Sequence, residues 1–168
     1  MDRYDLEFHL LARRYDPSKY QQWYGDNKVT FPLFDFAGRL AGYQAYTPFA
    51  PKFAENPHNA RYFTRAYGKQ LVWGNELEIL GNTIFLTEGV FKSAAIHQAG
   101  FNSWSILGSN ISSALMQQLR LMPYHFICVG DNDKAGKEFS ETFSEGIICD
   151  ELDEQTPDFI RAVLSAYV

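Results

Sequence analysis

Ile84-Phe85-Leu86-Thr87-Glu88-Gly89 and Phe126-Ile127-Cys128-Val129-Gly130-Asp131-Asn132-Asp133-Lys134-Ala135-Gly136 decide the fold. Each opens with an apolar run that does not alternate with polar residues. Such runs read as strands buried on both faces, which is the habit of parallel sheets between helices. Each run is followed by a helical pattern. In a parallel α/β sheet the C-terminal ends of the strands share one edge, where ligands bind. Glu88, Asp131 and Asp133 are therefore expected to meet there. Carboxylates crowded together repel one another unless a cation lies between them. Oxygen-only ligands of this kind suit magnesium or manganese.

The chain around these runs has 168 residues, 46% of them hydrophobic and 16% aromatic, enough for one domain with a real core, or a domain with a smaller subdomain. No apolar run is long enough to span a membrane, and Met1-Asp2-Arg3-Tyr4-Asp5 shows no secretory signal. Cys128 and Cys149 lie in apolar, strand-like runs and read as reduced core thiols of a cytoplasmic protein. Two isolated cysteines do not make a zinc ribbon. The net charge of −5 is uneven: residues 1–75 carry 10 Lys/Arg against 7 Asp/Glu, and residues 76–168 carry 5 against 13. A basic front half beside an acidic half fits a protein that grips a polyanion with one part and holds metal with the other. An ordinary fluctuation of surface charge gives the same count.

Working outward toward the N-terminus, residues 4–15 have the spacing of a short amphipathic helix, stopped at Asp16-Pro17. A second short helix is predicted to contain Tyr20, Trp23 and Tyr24 and to end at Gly25-Asp26-Asn27. Residues 28–34 read as a strand, with Pro32 placing it at an edge or a bulge. Asp35-Phe36-Ala37-Gly38 turns the chain into a returning strand at 39–46. Residues 47–59 hold three of the seven prolines and read as an ordered loop. A short strand is predicted at 61–64 and a helical turn at 75–80. Toward the C-terminus, strands are predicted at 84–87, 103–107, 125–130 and 147–149. Helices are predicted at about 90–98, from Asn110 or Ser112 to about 122, at about 135–144, and after Thr156-Pro157, a helix-start pair.

Each motif also has a bland reading. Glu88-Gly89 alone is compatible with a surface acid at a strand-to-helix turn. Asp131-x-Asp133 is compatible with a helix N-terminus stabilised by its dipole. His97 and His125 lack metal-ligand spacing and read as structural. Tyr20, Trp23 and Tyr24 fill a small N-terminal core or stack on single-stranded bases.

Thr87-Glu88-Gly89-Val90-Phe91 and Gly130-Asp131-Asn132-Asp133-Lys134-Ala135-Gly136 resemble the two signature motifs of the TOPRIM domain, shared by primases, topoisomerases and some nucleases. Upstream, Val29-Thr30-Phe31-Pro32-Leu33, Asp35 and Gly38-Arg39-Leu40-x-Gly42-Tyr43 resemble the segment that precedes TOPRIM in DnaG-type primases. Arg61-Tyr62-Phe63 and Tyr67-Gly68-Lys69 are similar to that family's Lys-Tyr-Leu segment and its basic stretch. The resemblance is strongest to the phage-type primase polymerase domain in compact form.

The resemblance implies an α/β fold: a four-stranded, mostly parallel TOPRIM sheet flanked by helices at 83–168, with a small mixed α+β subdomain at 1–82. It implies Glu88 as metal ligand or general base and Asp131 and Asp133 as metal holders, with Mg²⁺ or Mn²⁺ as cofactor. Asp153, in the acidic stretch after the fourth strand, best matches the family's third acidic motif, with Asp150 the other candidate. Lys28, Arg39, Arg61, Lys69, Lys92 and Lys134 become candidate contacts to template or nucleotide phosphates; as isolated charges they are equally ordinary surface residues.

Three departures stand out. Lys92 occupies a position where the primase motif usually has an acid, and Tyr46 one where the family often has Arg. Neither a zinc ribbon before the domain nor a helicase after it is expected, so initiation specificity is expected from another protein. The expected function is a primase-like RNA polymerase domain that makes short primers in phage DNA replication by metal-dependent nucleotidyl transfer, acting on a single-stranded DNA template with nucleoside triphosphates and partnered by a replicative helicase or a separate zinc-ribbon protein. The alternatives are a metal-dependent TOPRIM nuclease and a nucleic-acid-binding adaptor without turnover, to which Lys92 lends support.

Overall fold

The structure, a computed structural model, describes residues 1–168. It opens with α1 (Arg3–Ala12), held at its start by a capping box. The Asp2 carboxylate accepts from the Asp5 backbone N–H at 2.9 Å, and the Asp5 carboxylate accepts from that of Asp2 at 3.3 Å. An antiparallel meander follows: β1 (Trp23–Gly25), β2 (Lys28–Phe34), β3 (Leu40–Tyr46) and β4 (Tyr62–Ala66), in the order β1-β2-β3-β4.

The second sheet is built from β5 (Thr83–Thr87), β6 (Ser103–Ser105), β7 (His125–Gly130) and β8 (Gly146–Ile148). Its order is β6-β5-β7-β8, and all three pairings are parallel. Its helices are α2 (Val90–Gln98), α3 (Ser113–Arg120), α4 (Lys134–Ser140) and α5 (Pro157–Leu164). Alternate residues of a strand point to opposite faces, which explains the unbroken apolar runs. Phe85, Ile127 and Val129 pack with Ala95 and Ile96 of α2 and Ile160 and Leu164 of α5. Ile84, Leu86, Phe126 and Cys128 pack with Leu115 and Leu119 of α3 and Phe139 of α4. Cys128 is fully buried, and burial pushes its thiol up to about 12.

The two sheets are joined by a third core. Leu6, Leu10 and Tyr15 pack with Val29, Phe31 and Leu33 of β2 and also with Val90, Phe91 and Ala94 of α2. A single antiparallel bridge between Trp73 and Ser105 ties the segment that connects β4 and β5 to β6. No helix is long and apolar enough to cross a membrane.

The helix expected around Trp23 is a strand. Asp26-Asn27 closes a two-residue hairpin in which Trp23 faces Thr30 and Gly25 faces Lys28, with Asn27 at φ +53°. Of the aromatics there, Tyr20 and Tyr24 pack against the core while Trp23 is exposed. Pro32 lies beyond the end of β1, so its missing N–H faces no partner on that side, and the register shifts at Leu33/Phe34. The helical turn expected at 75–80 is a single bend closed by Leu77 N–H on the Gly74 carbonyl at 3.2 Å.

Candidate active site

The C-terminal ends of β5 and β7 lie side by side, with Leu86 in register with Cys128. The residues that follow, Glu88, Asp131 and Asp133, open onto one cleft of about 710 Å³. Its opposite wall comes from the N-terminal half: Arg13, Gln44, and Lys52 and Phe53 of the loop after β3.

Local packing fixes each carboxylate. Thr87 donates to the Gly89 carbonyl at 3.0 Å, and its hydroxyl lies 2.8 Å from that of Ser93, which lies 2.9 Å from that of Ser103. This buried hydroxyl chain ties the turn that presents Glu88 to α2 and β6. At β7, Gly130 and Gly136 are in backbone contact with the turn between them. A methyl on Gly130 would overlap the Gly136 carbonyl, and one on Gly136 would overlap the Asp131 carbonyl. Two glycines thus let α4 begin directly on the strand end. The Asp133 carboxylate caps α4 by accepting from Gly136 N–H at 2.7 Å. The Asp150 carboxylate accepts from the Asn132 backbone N–H, bracing the same turn from the next strand end.

The charges are unevenly satisfied. Lys92, on the first turn of α2, donates to Asp131 Oδ2. Asp131 Oδ1 and Glu88 Oε1 are buried and accept no hydrogen bond. Burial raises the Glu88 carboxyl above its ordinary value; Lys92 opposes this rise, and Asp131 and Asp133 add to it. Asp153 is 5% exposed and is engaged by Arg13, whose Nη2 and Nε donate to Oδ2 at 2.5 and 3.0 Å. Arg13 also donates to Tyr62 Oη at 2.9 Å and Tyr46 Oη at 3.2 Å, and its guanidinium lies 3.9 Å from the centroid of Phe91. Burial disfavours the Arg13 charge, but Tyr62 and Asp153 outweigh it and hold the group protonated.

Buried carboxylate oxygens without a donor are costly, and a hard divalent cation is the partner such oxygens accept. On that ground Glu88 and Asp131 fit a magnesium- or manganese-type ion. No group of three or more His, Cys, Asp or Glu stands in ligating arrangement. Asp133 gives one oxygen to the helix cap, and Asp153 is turned to Arg13.

Of the basic candidates, only Lys92 lines this cleft. Arg61 donates to the Ala50 carbonyl at 2.9 Å and pins the loop after β3. Arg39 pairs with Asp35 at 2.9 Å across the β2–β3 turn. Lys134 projects into solvent, 3.9 Å from Glu138. Lys28 lines a separate groove of about 380 Å³ with Trp23, His58 and Phe63. Lys69 borders another hollow beside Phe36 and Leu71. Sequence reasoning missed Arg13, Gln44 and Lys52. Arg13 had one usable signal, a basic residue closing an amphipathic helix; nothing local pointed to its partner 140 residues away.

Residues 85–158 match the Toprim-like family. An uncharacterized protein of Mycoplasma genitalium is 33% identical over 121 residues, which are 70% of this chain and 54% of that protein. A DNA primase of Clostridium acetobutylicum is 27% identical over 116 residues, 66% of this chain and 19% of that one. The chain thus spans about half the length of the first relative and a fifth of the second. The RNA polymerase domain of Mycobacterium tuberculosis primase DnaG superposes with a TM-score of 0.61 at 17% identity, over 94% of this chain and 62% of that one. Motifs, sheet order and superposition agree: residues 85–158 match the Toprim-like family, and the chain has the fold of the DnaG primase catalytic core.

Proposed function

We propose that this chain is a primase-like nucleotidyltransferase that joins nucleotides into short primers on single-stranded DNA. The observation that carries the reading is the pair of buried, undonated carboxylate oxygens of Glu88 and Asp131 at the C-terminal edge of a parallel sheet, facing a cleft. Glu88 and Asp131 would hold Mg²⁺ or Mn²⁺, with Asp133 close behind as the cap of α4. When bound, the metal supplies Lewis-acid activation of a primer 3′-hydroxyl and neutralises the leaving pyrophosphate. The chain's own residues do the rest. Gly130 and Gly136 let α4 start directly on the end of β7, which sets Asp131 and Asp133 at the cleft. Lys52, whose charge bears on Glu88, faces the cleft from the opposite wall and would meet the triphosphate. A DnaG primase catalytic domain of this fold has been solved with single-stranded DNA. In this chain the groove holding Lys28 and the exposed Trp23 offers a cation and a stacking face for such a strand.

The test is incubation of the protein with single-stranded DNA, labelled nucleoside triphosphates and Mg²⁺ or Mn²⁺, beside Glu88→Gln and Asp131→Asn. Short labelled products should form and fall by at least about a hundredfold in either variant, the scale of losing a key electrostatic group. Undiminished product from Asp131→Asn would overturn the assignment. One observation favours a second reading, a DNA-binding adaptor: Lys92 already neutralises Asp131. That reading expects no product, and DNA binding that survives both substitutions and chelation of metal.

A further inference from the structure

Lys92 stands on the first turn of α2, four residues after Glu88, and its ammonium is bonded to Asp131 Oδ2. The two side chains are 17% and 26% exposed, so water screens their attraction only in part. Asp131 therefore has one oxygen claimed by the ammonium and one, Oδ1, with no partner. A divalent ion approaching Asp131 meets a positive charge already in place. We infer that Lys92 is a displaceable counter-ion that sets the divalent-metal affinity of this edge by competing for Asp131.

The competition has a direction. Without metal, the ammonium offsets the repulsion among Glu88, Asp131 and Asp133. With metal, it must release Asp131 or tolerate a like charge beside it. Arg13 is committed to Asp153 and two tyrosines. The released Lys92 and Lys52 are then the cations left to meet a polyphosphate in the same cleft. Metal and phosphate binding would help one another through one side chain. This inference rests on the metal-dependent reading above and concerns only how tightly the metal is held.

The experiment is Mn²⁺ binding to the full chain without nucleotide, from the free-ion electron paramagnetic resonance signal, for wild type, Lys92→Met, Lys92→Gln and Asp131→Asn. Circular dichroism reports the folding of each, and the two Lys92 variants differ in polarity so that one remains usable. Lys92→Met and Lys92→Gln should bind Mn²⁺ at least about tenfold more tightly than wild type, the effect of deleting a sheltered like charge, and Asp131→Asn should lose binding. Wild type that binds Mn²⁺ while both Lys92 variants bind it equally or more weakly would overturn the Lys92 inference and leave the metal reading standing. Absence of binding in wild type and both Lys92 variants would overturn the two together.

Discussion

Arg13 joins residues that the chain keeps far apart. It pairs with a nearly buried Asp153, bonds Tyr46 and Tyr62, and covers Phe91. Removing the guanidinium strands a buried carboxylate, whereas neutralising the acid leaves Arg13 its tyrosines and partial exposure. Arg13→Met is therefore expected to destabilise the fold by about 2–4 kcal/mol, and Asp153→Asn by less. Urea unfolding of the two variants checks the order; equal losses would show that the buried charge is not what Arg13 supports. The charge pattern of the sequence could not reveal this. It showed that the first half was basic, but a lysine or arginine looks the same in sequence whether it lines a cleft, pins a loop as Arg61 does, or closes a turn as Arg39 does.

Among the elements, those around the cleft were legible because local chemistry and tertiary demand agree there. Apolar runs buried on both faces became β5 and β7, Ser112 and Thr156 cap α3 and α5, and Gly100 follows α2 in the left-handed region. One misread element, β1, shows the opposite case. Tyr20, Trp23 and Tyr24 fall at helical spacing, yet the two-residue turn at Asp26-Asn27 and pairing with β2 decide the conformation. The C-terminal end of α2 also carries a pH response. His97 Nε2–H donates to the Ser103 carbonyl at 2.7 Å, which leaves Nδ1 to accept from the Tyr20 hydroxyl at 3.0 Å. Burial lowers this histidine to about 4. A depressed folded value means the unfolded chain takes up the proton first, so stability is complete above about pH 6.5 and is lost as pH falls toward 4. The loss should be on the order of 3 kcal/mol. Urea unfolding at pH 7, 5.5 and 4.5 should show it in wild type and a flatter profile in His97→Gln; parallel profiles would assign the acid response elsewhere.

At the scale of the molecule, the core shared by α1, β2 and α2 is expected to make the two sheets unfold as one cooperative body. Phe91 is its hinge of contact, within 6.1 Å of Tyr15, Phe31 and Tyr46 ring centroids. Phe91→Ala should cost about 3–5 kcal/mol and lower amide protection in both sheets together. Protection lost only in β1–β4 would mean that the halves unfold separately.

The position of Cys128 gives the chain a clock of its own. A thiol with no exposed surface, in a strand hydrogen-bonded on both sides, reacts with an alkylating reagent only while the sheet is open. Its modification rate therefore reads the frequency of that opening without an added label. A ligand that bridges the ends of β5 and β7 should slow it, whether or not the protein turns that ligand over.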